Sequence, residues 1–477
     1  MACDNGVLMT FTALSQSLGM EILCNEQSGT PVPGQSPCGF SSVSIDSRTV
    51  QNGGLFVALS GSVHDGHAFV EQAFKNGAAA ALVERRKVEM FNLASLAHAM
   101  GKALVIAENS LHGLQDTARV YLQQFPQCTK IAITGSAGKT TTKEITAAIA
   151  GVEKNTVMNP GNYNSETGLP LSVFAVRSCH EVGIFEAGMN RVGEIAELAA
   201  VLNSDIALIT NIGSAHIGNN IGSKEGIAEE KKNIFLMNNE NTVALIPADS
   251  PFRDFLAEGV RGKVLFYGES AFAELGGVRD LGLDGTEIIW DGEKVRFPLP
   301  GKHNLANAFA AIAIAREIPV SAQAIRRGLE VVKPLFGRGE ILYGRATVIQ
   351  EFYNANPEAV SCALEFCDSL DWPGRRIYVM GEMLELGENS RRAHEDIGRL
   401  LQVSKADMVF LYGEEMRPAA ELLQDGALSV MHTCDMDELS RALDAYVRPG
   451  DLVLLKGSRG CALERLCTVL TTNGGAA

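Results

Sequence analysis

Lys130-Ile131-Ala132-Ile133-Thr134-Gly135-Ser136-Ala137-Gly138-Lys139-Thr140-Thr141-Thr142 decides the fold. An apolar run leads into a short glycine turn, and the turn opens directly onto Lys139 and Thr140. Strand, glycine turn and helix in that order make a phosphate-binding loop. Backbone N–H groups wrap an anion, the helix N-terminus adds its dipole, a lysine neutralises β/γ charge and a threonine hydroxyl ligates Mg²⁺. The usual spacing G-x-x-x-x-G-K-[ST] is shortened to G-x-x-G-K-T, with Ile133 where the first glycine would stand. Gly135, Ser136, Ala137, Gly138, Lys139, Thr140 and Thr141 are the nucleotide-binding candidates.

A chain of 477 residues is too long for one core and predicts two to three domains. Its 41 Lys plus Arg against 56 Asp plus Glu give a net charge of −15, which argues against broad binding of nucleic acid or anionic membranes. The 10 Cys contain no CxxC pair and read as reduced thiols of a cytoplasmic protein. No leader pattern opens the chain, although Met9 is an alternative start, and no apolar run is long enough for a membrane anchor.

Downstream of the loop, the polar cluster Asn159-Pro160-Gly161-Asn162-Tyr163-Asn164 precedes an apolar stretch. Gly183–Glu186 is a buried strand ending on a carboxylate, the place for a metal-facing residue in a phosphate-loop enzyme. A strand over 207–211 carries His216 in its loop, and Ala228–Lys232 reads locally as a solvated helix face. An antiparallel excursion is expected over about 280–295, then an Ala-rich helix opened by Gly301-Lys302-His303-Asn304, with Asn307 one turn on. Beyond Gly337-Arg338-Gly339, strands and helices alternate as in a doubly wound sheet, whose ligands bind at the strands' carboxyl ends. Tyr353-Asn354-Ala355-Asn356-Pro357 and Lys456-Gly457-Ser458-Arg459 fall at such ends. Upstream, a loop is expected over 28–39, Ser47-Arg48 follows a strand, a helix is expected near 68–76 and a strand over 79–83; this is a small α/β unit. The fold class is therefore α/β in three domains. They are a small N-terminal domain (1–126), a central phosphate-loop, parallel-sheet domain (127–336) and a C-terminal Rossmann-like doubly wound domain (337–477).

Together these stretches resemble the Mur ligases, ATP-dependent amide ligases of bacterial cell-wall precursors. The resemblance rests on Thr134–Thr141, Glu186, Thr210-Asn211 with His216, and Gly301-Lys-His-Asn-Leu-Ala-Asn-Ala. Tyr353-Asn-Ala-Asn-Pro, Gly381-Glu-Met-Leu-Glu-Leu-Gly-Glu-Asn-Ser with His394, and Lys456-Gly-Ser-Arg resemble the branch that adds D-alanyl-D-alanine to UDP-N-acetylmuramoyl-tripeptide. The resemblance implies these two substrates, ATP and two Mg²⁺ ions; a monomer is the expected state. It places Lys139 on the ATP phosphates, Thr140 and Glu186 on one Mg²⁺, and His216 on a second. It puts Lys231 at a carbamylated lysine facing that metal, against the local reading of its helix. Catalytic roles are implied for Lys139, His216 and Lys231. Asn304, Asn307 and Arg338 match ATP-contacting positions. Ser47 and Arg48 match the uridine-nucleotide site, Asn162 the muramoyl-peptide site, and Tyr353, Asn354, Asn356, Lys456 and Arg459 the last domain's substrate site. The chain departs from the family pattern at Asn233, Pro247, Ser165 and Glu351; at the last, glutamate replaces the ribose-facing aspartate. The alternatives are a Mur-type ligase for another amino acid and a phosphate-loop regulatory NTPase.

Overall fold

The structure, a computed structural model, describes residues 6–24, 39–214, 221–424 and 426–472. Its first unit has a sheet ordered Glu21–Leu23, Ala103–Ala107, Ala80–Glu84, Leu55–Val57 and Val43–Ser44, parallel except for the first pairing. The helix expected near 68–76 is divided into a 3₁₀ turn, Gly66–Phe69, and a helix, Val70–Lys75. Asp65 accepts from the His67 N–H and tightens the first turn. The loop expected over 28–39 lies outside the described residues except Gly39, which with Phe40 pairs antiparallel to Met9–Thr10.

The central unit runs β1 (Thr129–Thr134), α1 (Lys139–Ala150), β2 (Thr156–Met158), β3 (Val182–Glu186), α2 (Glu194–Leu202), β4 (Ile206–Ile209), α3 (Lys224–Lys232), β5 (Val243–Pro247) and β6 (Lys263–Tyr267). Its parallel sheet is ordered β6-β5-β4-β1-β3-β2. β3 is buried at every residue, as a strand covered on both faces must be. The antiparallel excursion is three-stranded, Leu275–Asp280, Thr286–Trp290 and Glu293–Phe297. It leads to α4 (Lys302–Glu317), buried from Ala308 through Ala315. Small alanines let α4 lie close on α1.

The last unit holds β7 (Glu340–Tyr343), β8 (Thr347–Glu351), α5 (Pro357–Ser369), β9 (Arg376–Gly381), α6 (Ser390–Gln402), β10 (Met408–Tyr412), β11 (Ser429–Thr433), α7 (Met436–Tyr446) and β12 (Leu452–Lys456). The sheet order is β7-β8-β12-β9-β10-β11, parallel apart from β7. The described residues thus show the α/β architecture with parallel sheets expected from the sequence.

One apolar core joins the first two units: Leu55, Leu82 and Val105 belong to the same cluster as Leu169, Phe174 and Leu198. Tyr121 adds a hydrogen bond across it, donating to Val176 O at 2.6 Å. Seven described cysteines are free, but Cys179 is disulfide-bonded, which corrects the expectation of reduced thiols throughout. CxxC spacing reports only thiols that are neighbours in sequence. Among the described residues, no helix is long and apolar enough to cross a membrane.

The chain leaves β1 toward β3 on one side and returns to β4 on the other, so the carboxyl edge opens beside β1. Register aligns Glu186 with Ile133 and Ile209 with Thr134. Gly135, Glu186 and Thr210 therefore meet at one corner.

Candidate active site

Two glycines let the phosphate loop sit in that corner. Gly135 has φ +151°, and a Cβ there would stand 1.8 Å from Thr210 Oγ1; at Gly138, φ +80°, it would stand 2.1 Å from Asn307 Oδ1. A side chain at either place would push the loop off the groups that hold it. Thr210 Oγ1 donates to Ala137 O at 2.6 Å, while Asn211 accepts from the Ala137 N–H at 2.9 Å. Ser136 Oγ accepts from the Gly213 N–H at 2.9 Å.

Lys139 Nζ folds back to donate to Gly135 O at 2.7 Å. From the first turn of α1, Thr140 Oγ1 donates to Glu186 Oε2 at 2.8 Å; Asn164 Nδ2 donates to Glu186 Oε1 at 2.6 Å. Thr141 is buried in the same turn. Glu186 is 2% exposed, and among the described residues these partners are neutral and no ion pair reaches it. A buried carboxylate with neutral partners, beside a hydroxyl and a phosphate loop, is a hard-oxygen set that fits Mg²⁺.

Lys231 approaches from α3 and is 1% exposed. Burial pushes its ammonium well below the ordinary lysine range; the Lys139 charge acts the same way and Glu230 opposes. Burial also lowers Lys139, against the pull of Glu186 and with help from Arg338. The solvated-face reading of 228–232 is thereby corrected. Glu230 and Lys231 follow Ile227 by three and four residues, so they share its buried face. Glu230 caps α2, accepting from the Gly193 and Ile195 N–H groups at 2.9 Å each. His216 lies outside the described residues.

Asn307 borders Gly138 and accepts weakly from Thr142 Oγ1 at 3.4 Å; Asn304 Nδ2 donates to Pro300 O at 2.8 Å. The Arg338 guanidinium lies 3.9 Å above the Tyr353 ring. A narrow crevice lined by Pro300, His303, Gly339 and Glu351 continues between α4 and β8. In it His303 Nε2 stands 3.7 Å from Glu351 Oε1, and Lys456 Nζ 3.8 Å from Oε2. Burial would raise the Glu351 carboxyl, but the neighbouring His303 ring and the charges of Lys456 and Arg338 outweigh it, holding the group below its ordinary range.

The remaining candidates are dispersed. Lys456, 2% exposed, donates to Asn354 O at 2.7 Å and Glu351 O at 3.0 Å. Asn356 caps α5 by accepting from the Ala359 N–H at 2.8 Å. Arg459 pairs with Glu464 at 2.5 Å. Asn162 stands exposed on the loop over 159–164. Ser47 is buried in the first unit, and exposed Arg48 pairs with Asp46 at 2.7 Å. Among the described residues, neither Ser47 nor Arg48 shares a hydrogen bond with the phosphate loop.

Several residues of this corner received no role from the sequence. Asn159 and Asn164 belong to the polar cluster that drew attention only to Asn162. Thr210 and Asn211 carried a family motif without an assigned contact. Glu358, at the start of α5, accepts from Ser214 N–H at 3.0 Å and Ser214 Oγ at 2.6 Å, and pairs with Lys224 at 2.8 Å. It fastens the last unit to the segment beside the phosphate loop, and no local pattern marks it.

Fold and site define a phosphate-loop enzyme of three α/β units, with the phosphate-loop corner at the carboxyl edge of the central sheet. Three family models match in series: "Mur ligase family, catalytic domain" over residues 40–119, "Mur ligase middle domain" over 133–315, and "Mur ligase, glutamate ligase domain" over 337–459. The UDP-N-acetylmuramoyl-tripeptide–D-alanyl-D-alanine ligase of Treponema pallidum is 42% identical over 431 residues, covering 90% of this chain and 93% of that one. A MurF crystal structure from Acinetobacter baumannii superposes with a TM-score of 0.84 at 27% identity, covering 97% and 98% of the two chains. The MurF ligase of Thermotoga maritima in complex with ADP gives 0.77 at 29% identity, over 90% and 96%. The chain belongs to the Mur ligase family.

Proposed function

We propose that the chain joins D-alanyl-D-alanine to UDP-N-acetylmuramoyl-tripeptide at the expense of ATP, forming the pentapeptide precursor of peptidoglycan. The reading is carried by the Lys139–Thr140–Glu186 corner, in a chain alike over nine-tenths of its length to a relative named for that reaction.

A peptide carboxylate lacks a leaving group. Its oxygen attacks the γ-phosphorus of ATP, the bond to the β-bridging oxygen breaks, and ADP leaves an acyl phosphate. The amine of D-alanyl-D-alanine then attacks the carbonyl, the C–O bond to phosphate breaks and the amine proton is lost. Lys139 exchanges the Gly135 carbonyl for the transferring phosphoryl oxygens. Thr140 and Glu186 would hold Mg²⁺, which when bound would supply charge neutralisation for the transferring phosphoryl group. Asn304, Asn307 and Arg338 border the nucleotide, Ser47 and Arg48 the uridine moiety, and Tyr353 the dipeptide side. Lys231 is held toward its neutral form, the form that adds CO₂ to give a carbamate and a proton. His216 would face a second Mg²⁺ with that carbamate. The units align three substrates and keep water from the acyl phosphate. The protein works in the cytoplasm as a monomer.

Phosphate release from ATP is the test. Release that requires both UDP-N-acetylmuramoyl-tripeptide and D-alanyl-D-alanine is expected; release that is indifferent to either one overturns the reading. Lys231→Ala should lose activity and regain part of it with added small carboxylates. An unaffected variant removes the carbamate.

A further inference from the structure

We propose that Lys143 is a positioning residue for this reaction: its buried ammonium fixes the 159–164 loop, which presents Asn162 and Tyr163 to the UDP-linked acceptor and sets the Glu186 carboxylate. The inference rests on the function proposed above. Lys143 lies four residues after Lys139 and so shares a face of α1 with it. Its side chain is fully buried, and its ion-pair partner, Glu144, is 3.5 Å away and itself partly exposed. A buried ammonium so weakly paired is costly unless hydrogen bonds compensate it. Here they come from one loop: Lys143 Nζ donates to Asn159 O at 2.7 Å and Gly161 O at 3.2 Å.

That loop in turn grips the last residue of β3. Asn159, with no exposed surface, accepts from the Glu186 N–H at 2.9 Å and donates to Glu186 O at 3.1 Å and Tyr163 O at 2.8 Å. Asn164 holds the Glu186 carboxylate from the loop's other end and accepts from the Gly188 N–H at 2.8 Å. Between these anchors Asn162 is exposed and the Tyr163 side is half exposed, at 50%. The ammonium beneath, the two asparagines at the ends and the exposed pair between them form one unit. It links α1 to both the carboxylate and the acceptor side.

Lys143→Met keeps the aliphatic stem and removes the charge. With the full-length enzyme, KM for UDP-N-acetylmuramoyl-tripeptide and its calorimetric Kd should rise about tenfold, whereas KM for D-alanyl-D-alanine stays within about twofold. Half-saturation by Mg²⁺ in calorimetric titrations with ADP should rise several-fold. Constants that are all unchanged, or that all rise alike, overturn the proposal. Should that variant fail to fold, the Gly161 pair decides. Gly161 has φ +51° and open space around a built Cβ. Gly161→Ala should weaken acceptor binding about fivefold by straining the loop, and Gly161→Asn, which tolerates this conformation, should restore it. Equal binding by wild type and Gly161→Ala counts against it. The Mg²⁺–ADP titration needs no acceptor, so it separates failure of this inference from failure of the assigned reaction.

Discussion

The central and C-terminal sheets are both doubly wound, yet their carboxyl edges are in opposite electrostatic states. At the central edge Glu186 has a hydroxyl and an amide for company, and Lys139 rests on a backbone carbonyl. Each charge can change partners when a charged ligand arrives. At the C-terminal edge Lys456 is held by two carbonyls and faces Glu351, Asn356 is committed to a helix cap, and Arg459 has Glu464. One edge is prepared to receive charge; the other is neutralised from within and holds a shape.

Substitution of one lysine at each edge can break that contrast. Lys139→Met should cut ligand-dependent phosphate release about 10³-fold. Its melting temperature should be unchanged or higher, because a cation disfavoured by burial is removed. Lys456→Met should behave the other way. Losing the buried donor leaves the Glu351 and Asn354 carbonyls unpaired and weakens the hold on the Glu351 carboxylate, which should destabilise the last unit by about 2 kcal/mol, read as an early urea transition, while calorimetric ADP binding persists. If Lys456→Met instead unfolds like wild type and only loses turnover, the two edges are alike and the contrast fails.

The contrast also explains what could be read in advance. The phosphate loop is contiguous, its spacing is imposed by an anion, and burial on both faces makes β1 and β3 apolar runs; all of this shows locally. Strand and helix order in the last unit was legible for the same reason. The buried face of α3 was not, because Glu229-Glu230-Lys231-Lys232 looks solvated until α2 supplies the N–H groups that Glu230 caps. Nor were Glu358, whose partner Ser214 lies 144 residues earlier, and Asn159 and Asn164, whose work is defined by a strand more than 20 residues away. Contacts between elements distant in sequence leave no periodic trace in either partner.

Glu358 is where the two edges are tied, so it sharpens the comparison. Glu358→Ala leaves the Ser214 N–H and hydroxyl without their acceptor and frees Lys224. The site is partly exposed, so the cost should be about 1 kcal/mol, seen as a roughly fivefold fall in kcat/KM for D-alanyl-D-alanine. Small-angle scattering should show a more open particle. An unchanged particle with unchanged kcat/KM would mean that the units stay docked without this tie.

The smallest effect is a pH dependence of the same tie. Burial raises the Glu358 carboxyl, but hydrogen bonds from Lys224 and from Ser214 side chain and backbone outweigh it, so its folded value lies below the ordinary 4.5. A carboxylate whose folded pKa is depressed contributes stability that is present above the unfolded value and lost as pH falls through the folded one. Wild type should therefore exceed Glu358→Gln in stability by a constant margin at neutral pH, and the margin should shrink only below about pH 4.5. Lys224 is half exposed, so added salt should trim the neutral margin and raise the pH at which it disappears toward 4.5. Urea titrations of the two proteins at pH 7 and pH 4 decide it. A margin that grows in acid would reverse the sign and remove the carboxylate form of Glu358 as the tie between the two edges.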